Sequence, residues 1–558
     1  MKFIHGLGLG ACIAVVGSCA SSYAPNAGAE IPNGGAGGGF VSGGAGGGTG
    51  STSCTSTAQC AAGYTCDFGR CVAPEVETNR GLSDAPPVAT PRYVYALNPT
   101  AASVARIDPT SLQIEAVPVG PNPVGLAALP QEDAAVVLSL GDGSLSVLDS
   151  TTLPTKVTRV SLKRQYAKLT VSPDGKFAVA WPDPASAPAS GAEGIFALVD
   201  LSKVRSNTAD AVAERAGGYR ITDVLFRTDN GVSTSLYVFA KATVSTFDLT
   251  TGASLPVRLP LPASMAADVK SREVVASADG RVVMLRSTVS PELASFDGQR
   301  LDTVPLSEVA TDLDLVPDGT AAVAALRSSG SVAYIEVPAD LLAPSGIDTI
   351  ALDGGVVGQV ALPRAMPTGG MFALVYSTVS EDESFARVDL PSGRVTRYPL
   401  EKRVEEISLS PDGKSALIIH QAVQTSIATD PYEAAVDRDQ GFSVFDVDSG
   451  FWQLQRTGTT RPSRYAFSPA GGFVGVALRD DALKRYQLMA VNLGTLVSTT
   501  LPLASTPLFM GTVPQAPGVT PHRVFVSQDH PAGRISVIQL DSSQVRTATG
   551  FTLNGEID

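Results

Sequence analysis

Side chains able to do chemistry are few in this 558-residue chain, and they cluster. Carboxylates crowd Ser377–Ser384, with Glu381, Asp382 and Glu383, and Gln421–Gly441, with Asp430, Glu433, Asp437 and Asp439. The second stretch also carries Tyr432 and follows directly on His420. Asp437, Asp439 and Gly441 alternate as in a Ca²⁺ loop, where neighbouring carboxylates converge on one cation. The run lacks the third acidic position and the late Glu, so a solvated acidic loop is the preferred reading and no cofactor is expected. His522 and His530 bracket one extended segment and would lie ~26 Å apart at ~3.3 Å per residue, too far to share a metal. No Gly-x-Ser-x-Gly elbow occurs, and Trp181 and Trp452 read as packing residues. These patterns assign no catalytic residue and no metal site.

The bulk composition excludes further classes. The 54 Asp+Glu outnumber 41 Lys+Arg, for a net charge of −13, which argues against a nucleic-acid backbone as partner. No apolar run reaches the ~18 residues of a spanning helix. Charged residues are sparse at 17 %, whereas Gly (54) and Pro (39) are abundant, which suits a turn-rich β protein.

The six cysteines all fall in the first 71 residues. Residues 1–18 pair Lys2 with the apolar stretch Leu7–Gly17, the pattern of an export signal. Val16-Gly17-Ser18-Cys19 then resembles the lipobox of bacterial lipoproteins. That resemblance implies a diacylated Cys19 as the new N-terminus, and Ala20 after it implies outer-membrane sorting. Residues 19–53 form a linker in which Gly dominates and Glu30 is the lone charge, so it has too little apolar surface to fold.

Cys54, Cys60, Cys66 and Cys71 sit in an 18-residue stretch, 54–71, too short for a hydrophobic core. Disulfides are the expected staple in an oxidising compartment, and spacing alone leaves three pairings open. The spacing resembles the short Dickkopf N-terminal-like cysteine-rich segments, which implies first-to-third and second-to-fourth pairing. A Pro-rich linker, 72–91, follows.

Residues 92–558 repeat. An apolar strand, a Pro/Asp/Gly turn and a second apolar strand recur at Leu169–Ala180, Val274–Leu285, Leu315–Ala324 and Ile407–Ile418, with a weaker copy from Phe467. Downstream of these hairpins an apolar strand ends in Asp, at Asp108, Asp149, Asp200, Asp248, Asp297, Asp389 and Asp446, with softer versions at Glu336, Asn492 and Gln539. The mean step is about 48 residues, which is two hairpins, or one four-stranded propeller blade. The Ser-Pro-Asp-Gly-Lys turns at Ser172–Lys176 and Ser410–Lys414 are similar to TolB-type and YVTN-type bacterial propeller repeats.

The fold class is therefore all-β, a β-propeller of some 7–10 units in one ring or two, preceded by a disulfide module. The first unit reads as three strands from Arg92, without an innermost one. Loops between second and third strands should share one face, and three of them are enlarged: Pro182–Gly194, Ser377–Ser384 and Gln421–Gly441. This predicts a membrane-anchored envelope scaffold that binds a protein or glycan partner through an acidic face. A propeller hydrolase of lactonase-like type and a solute-binding or sensory propeller are the alternatives. Cys19→Ser should move the protein from the membrane fraction to the soluble fraction on cell fractionation.

Overall fold

The computed structural model describes residues 65–67, 70–72 and 86–551, apart from 131, 186–193, 252–254, 270–271, 339–340, 342–346, 353–356, 368, 379–382, 424–427 and 515–521. Expectations for the signal, Cys19, the linker, Cys54 and Cys60 lie outside these residues. Thr65–Asp67 and Arg70–Val72 pair as an antiparallel hairpin with Cys66 opposite Cys71. This hairpin belongs to a compact unit separate from the one that begins at Asn79.

The larger unit contains ten antiparallel sheets, each of four strands taken consecutively from the sequence. The ten blades start at Val88, Pro123, Lys168, Ile221, Arg272, Asp312, Gln359, Val404, Arg461 and Pro507. First strands of neighbouring blades touch at most junctions, that of blades 1 and 10 included, so they line the axis of the ring. Second strands are mostly apolar and buried, as in Ala134–Ser139, Ala321–Leu326 and Ser415–His420. Fourth strands such as Lys156–Ser161 and Arg394–Pro399 alternate exposed and half-buried residues, marking the outer wall.

The core is partitioned between blades. Ten apolar clusters each join two neighbouring sheets, from Val137 and Tyr95 between blades 1 and 2 round to Phe525 and Val94 between blades 10 and 1. Ten sheets and ten interfaces make one ring, which resolves the choice between one ring and two.

The recurring turns close as their chemistry requires. Ser172 Oγ donates to Asp174 Oδ1 at 2.7 Å and accepts from the Phe177 N–H at 2.8 Å, while Gly175 sits at φ +69°. Ser410, Asp412 and Gly413 repeat the geometry. Asp174 also accepts from the Ser233 N–H and Oγ of the next blade, so a turn residue doubles as an inter-blade tie. The blade 9 copy has Ala470 where the others have Asp, and there His522 of blade 10 reaches Ser468 Oγ at 3.1 Å.

All ten recurring Asp-like positions fall at, or one residue beyond, the end of a third strand. Several fold the following turn by accepting its N–H groups: Asp108 from Thr110 and Ser111, Asp297 from Gln299 and Arg300, Asn492 from Gly494 and Thr495. Asx-turns of this kind offer the backbone a partner where the ladder ends.

The first blade corrects the sequence reading. Its innermost strand exists and is Val88–Ala89, paired with Tyr95 and Val94. Two residues flanked by Pro87 and Pro91 carry no alternation to detect, and the Pro-rich linker ends short of residue 91.

The turns make the fold's glycine requirements testable. At Gly280, φ is +67° and an added Cβ would lie 2.3 Å from the Phe226 carbonyl oxygen; at Gly231, φ is +77° with open space around it. Gly231→Ala should cost about 1–2 kcal/mol, the left-handed penalty alone. Gly280→Ala should cost clearly more, because the backbone of blade 4 must also shift. Urea unfolding of the two variants measures the difference.

Candidate functional site

The three enlarged loops do join second to third strands and therefore lie on one face of the ring. In blade 8 the stretch expected to be a solvated loop instead contains a helix, Pro431–Arg438. Its start was legible: Asp430 is the N-cap, Pro431 follows, and Glu433 lies in the first turn. Asp430 accepts from the N–H of Tyr432 at 2.7 Å and of Glu433 at 3.4 Å. Its acidity is thus spent on the helix start.

The other end of the helix rests on a buried cation. Lys402, 1 % exposed in the link between blades 7 and 8, donates from Nζ to the carbonyls of Val436 (2.6 Å) and Asp437 (3.0 Å). A lysine against the last carbonyls of a helix satisfies them and opposes the negative end of the dipole. Burial lowers the Lys402 pKa, an effect opposed by Asp437, Glu383 and Asp439. Gln421 extends the tie by donating from Nε2 to Thr378 O of blade 7 at 2.6 Å and to Val404 O at 3.0 Å. Val436 is the helix residue fully buried beneath this ledge.

The sequence-selected residues divide as follows. Glu383, Asp437 and Asp439 surround Lys402 electrostatically, and burial together with Asp437 raises the Glu383 pKa. Asp439 accepts twice from Arg456, at 2.9 and 2.7 Å, and Asp437 lies within the helix. Tyr432 is 65 % exposed, with the Arg456 guanidinium 5.6 Å from its ring centroid. Glu433 is exposed beside it. Glu381 and Asp382 lie outside the described residues.

His420 belongs to the blade interior rather than to the ledge surface. It is 1 % exposed, its Nδ1 lies 3.3 Å from Arg403 O, and its Nε2 lies 2.7 Å from Ser443 Oγ. Burial pushes its pKa down to about 4, so the ring is neutral at physiological pH. The Arg403 carbonyl must then accept from Nδ1, leaving Nε2 to accept from Ser443. His530 Nδ1 accepts from the Ala532 N–H at 3.1 Å and shapes the turn that follows.

A second polar group, missed from the sequence, sits on the inner strands of blades 5 to 7. Asp312 and Asp314 alternate with Leu313 and Leu315 along the first strand of blade 6, and the two leucines pack toward blade 5. Asp312 Oδ2 accepts from Val360 N of blade 7 at 2.8 Å, and Thr311 Oγ1 donates to Gly358 O at 2.6 Å. These side chains bind the free edge of an innermost strand, whose outward N–H groups need partners. Glu273 of blade 5 stands near them, paired to Arg286 at 2.7 Å. Burial, reinforced by the Glu273 charge, pushes the Asp312 pKa up to about 6. Burial, then Asp312 and Glu273, holds Asp314 well above the ordinary carboxylate range. The Asp-Leu-Asp-Leu alternation, where an inner strand would otherwise be apolar, was the available signal. Among the described residues no three His, Cys, Asp or Glu side chains are grouped to hold a metal ion.

No family model matches this chain, and no curated protein matches it. Solved structures similar to it include the dihydro-heme d1 dehydrogenase NirN in complex with DHE, at 15 % identity, covering 66 % of this chain and 72 % of that one, with TM-score 0.38. Apo AztD from Citrobacter koseri is 12 % identical over 65 % of this chain and 92 % of its own, with TM-score 0.34. The β-propeller domain of Cps50 (Swd1) from Myceliophteria thermophila is 14 % identical over 59 % and 96 %, with TM-score 0.32. These are likenesses of fold, and no functional reading rests on them.

His420 and Asp312 predict opposite pH responses. His420, with its folded pKa lowered to about 4, gives full stability above its unfolded value of 6.5 and loses it as pH falls, a loss on the order of 3 kcal/mol below pH 4. Asp312, raised from 3.8 to about 6, stabilises below pH 4 and loses that contribution as pH rises through 6. Urea titrations from pH 4 to 7.5 should therefore show a shallower acid loss in His420→Gln and a steeper one in Asp312→Asn. Asp312→Asn should also be the more stable protein at pH 7.5.

Proposed function

We propose that the protein is an envelope lipoprotein, held at the outer membrane through lipidated Cys19, whose propeller is an interaction scaffold. Its partner, an envelope protein or a glycan, docks on the ledge formed by the loops of blades 7 and 8. The observation that carries this reading is the helix Pro431–Arg438, fixed from below by Lys402 and presenting Tyr432 to solvent. Fixing a loop in place before a partner arrives lowers the ordering cost of binding. An exposed tyrosine offers a large contact area with few rotatable bonds.

One observation favours an enzyme instead: Asp312 and Asp314 on the inner wall have raised pKa values, with the Glu273 charge contributing to both. Perturbed acids are a common mark of catalytic sites. Here the bond from Val360 to Asp312 ties blade 7 to blade 6, while Glu273 is already paired to Arg286 within blade 5. The scaffold reading therefore takes precedence.

A photo-crosslinking residue at position 432 in the membrane-tethered protein should give a discrete adduct in cells. The same residue at Val497, in a turn on the opposite face, should give none. Lys402→Met should abolish the 432 adduct while the ring stays folded by circular dichroism. Equal adducts from both faces, or a 432 adduct indifferent to Lys402→Met, would contradict the proposed face.

A further inference from the structure

Nine of the ten blade junctions are crossed by the polypeptide, and the tenth is not. Blade 1 is built wholly from strands between Val88 and Pro118, and blade 10 wholly from strands between Pro507 and Thr549. No strand is exchanged between them, so the seam is held by non-covalent contacts among the described residues.

Those contacts are of two kinds. Val94, Ala96, Ala105 and Ile107 of blade 1 pack against Phe525, Ile535 and Ala548 of blade 10, with Val513 and Phe551 beside them. At the rim, two arginines of blade 10 converge on one residue of blade 1. Arg523 Nη1 donates to Thr110 Oγ1 at 3.0 Å, and Arg546 donates to the Thr110 carbonyl oxygen. Thr110 is itself set by the Asp108 turn, whose carboxylate accepts the Thr110 N–H at 2.7 Å. Both arginine bonds are solvent-exposed, where charged pairs and hydrogen bonds contribute least.

Near the axis the seam is thin. The inner strand of blade 1 has two residues, where those of blades 4 and 9 have nine and seven. Among the described residues it pairs with Val94 and Tyr95 of the second strand. A junction crossed by a short link closes a loop of a few residues, whereas the seam closes a loop as long as the whole domain. Loop-closure entropy rises with that length.

We infer that the junction between blades 10 and 1 is the gate of the ring: it separates locally while the other nine junctions stay closed. Opening there parts the Val94–Phe525 interface and gives access to the inner wall from the side. Arg523, Arg546 and Thr110 form its latch.

Native-state hydrogen exchange on the full-length protein tests this, because the least stable junction opens first. Amides of Val94–Asn98 and Arg523–Gln528 should exchange at least tenfold faster than those of Val283–Ser287 and Ala321–Leu326, the second strands of blades 5 and 6. The double variant Arg523→Ala, Arg546→Ala should accelerate blades 1 and 10 by a further threefold or more, with blades 4 to 7 unchanged. Arg461→Ala, which removes the 2.6 Å pair to Glu405 across a covalently linked junction, should change blades 8 and 9 by less than twofold. Equal protection in all ten blades would overturn the gate. So would a double variant that accelerates every blade alike, since the ring would then open only by global unfolding.

Discussion

Every blade in this protein is apolar on both faces, and that single constraint governs the architecture. Ala135 and Val137 of one strand face blade 1, while Ala134, Val136 and Leu138 of the same strand face blade 3. Such a sheet, alone or at an exposed end of a row, leaves one apolar face in water, which costs stability. Each buried Val, Leu, Ile or Phe contributes roughly 1.5–3 kcal/mol only if the neighbouring blade is present. A closed ring is the arrangement in which no face is left over. The ring therefore depends on its one unlinked junction more than on any other.

Polar side chains act within that frame as ties between blades. Asp174 reaches Ser233, Asp312 reaches Val360, Glu406 accepts from Tyr465, and Arg464 reaches the Leu508 carbonyl. Each bond satisfies a group at a turn or at the free edge of an inner strand, where the sheet provides no partner. The repeated aspartates of the hairpins thus hold turns and tie blades, and His420, His522 and His530 each bond within the fold. What remains for function is the part the repeat does not require. The insertion in blade 8 is the clearest example, with a helix capped at one end by Asp430 and at the other by buried Lys402.

The parts of this design that repeat were legible in the sequence. Ser172, Pro173, Asp174 and Gly175 announce a hairpin because each supplies a separate requirement of the turn, and recurrence at about 48 residues fixes four strands per blade. The enlarged second-to-third loops could be assigned to one face by counting strands. Features that occur once were harder to read. Val88–Ala89 is too short for periodicity, and Lys402 looks like a surface residue until Val436 and Asp437 are brought over it by folding. His420 is adjacent in sequence to the acidic insertion yet points into the blade, because the last residue of a buried strand lies inside whatever follows it. Asp312 and Asp314 are separated in sequence from Val360 by almost a full blade, so their role appears only when blades 6 and 7 meet.

The central claim is that one ring of ten blades brings the first and last blades together. Spin labels at Ser111 and Ser542, in equivalent turns of blades 1 and 10, measure this directly by pulsed dipolar spectroscopy. Labels at Thr250 and Gln299, in the same turns of linked blades 4 and 5, calibrate the separation of adjacent blades. The account predicts that the labels at 111 and 542 have the same principal distance as those at 250 and 299. A principal distance for residues 111 and 542 much longer than that for 250 and 299 would contradict it, since two rings or an open arc would hold those blades apart.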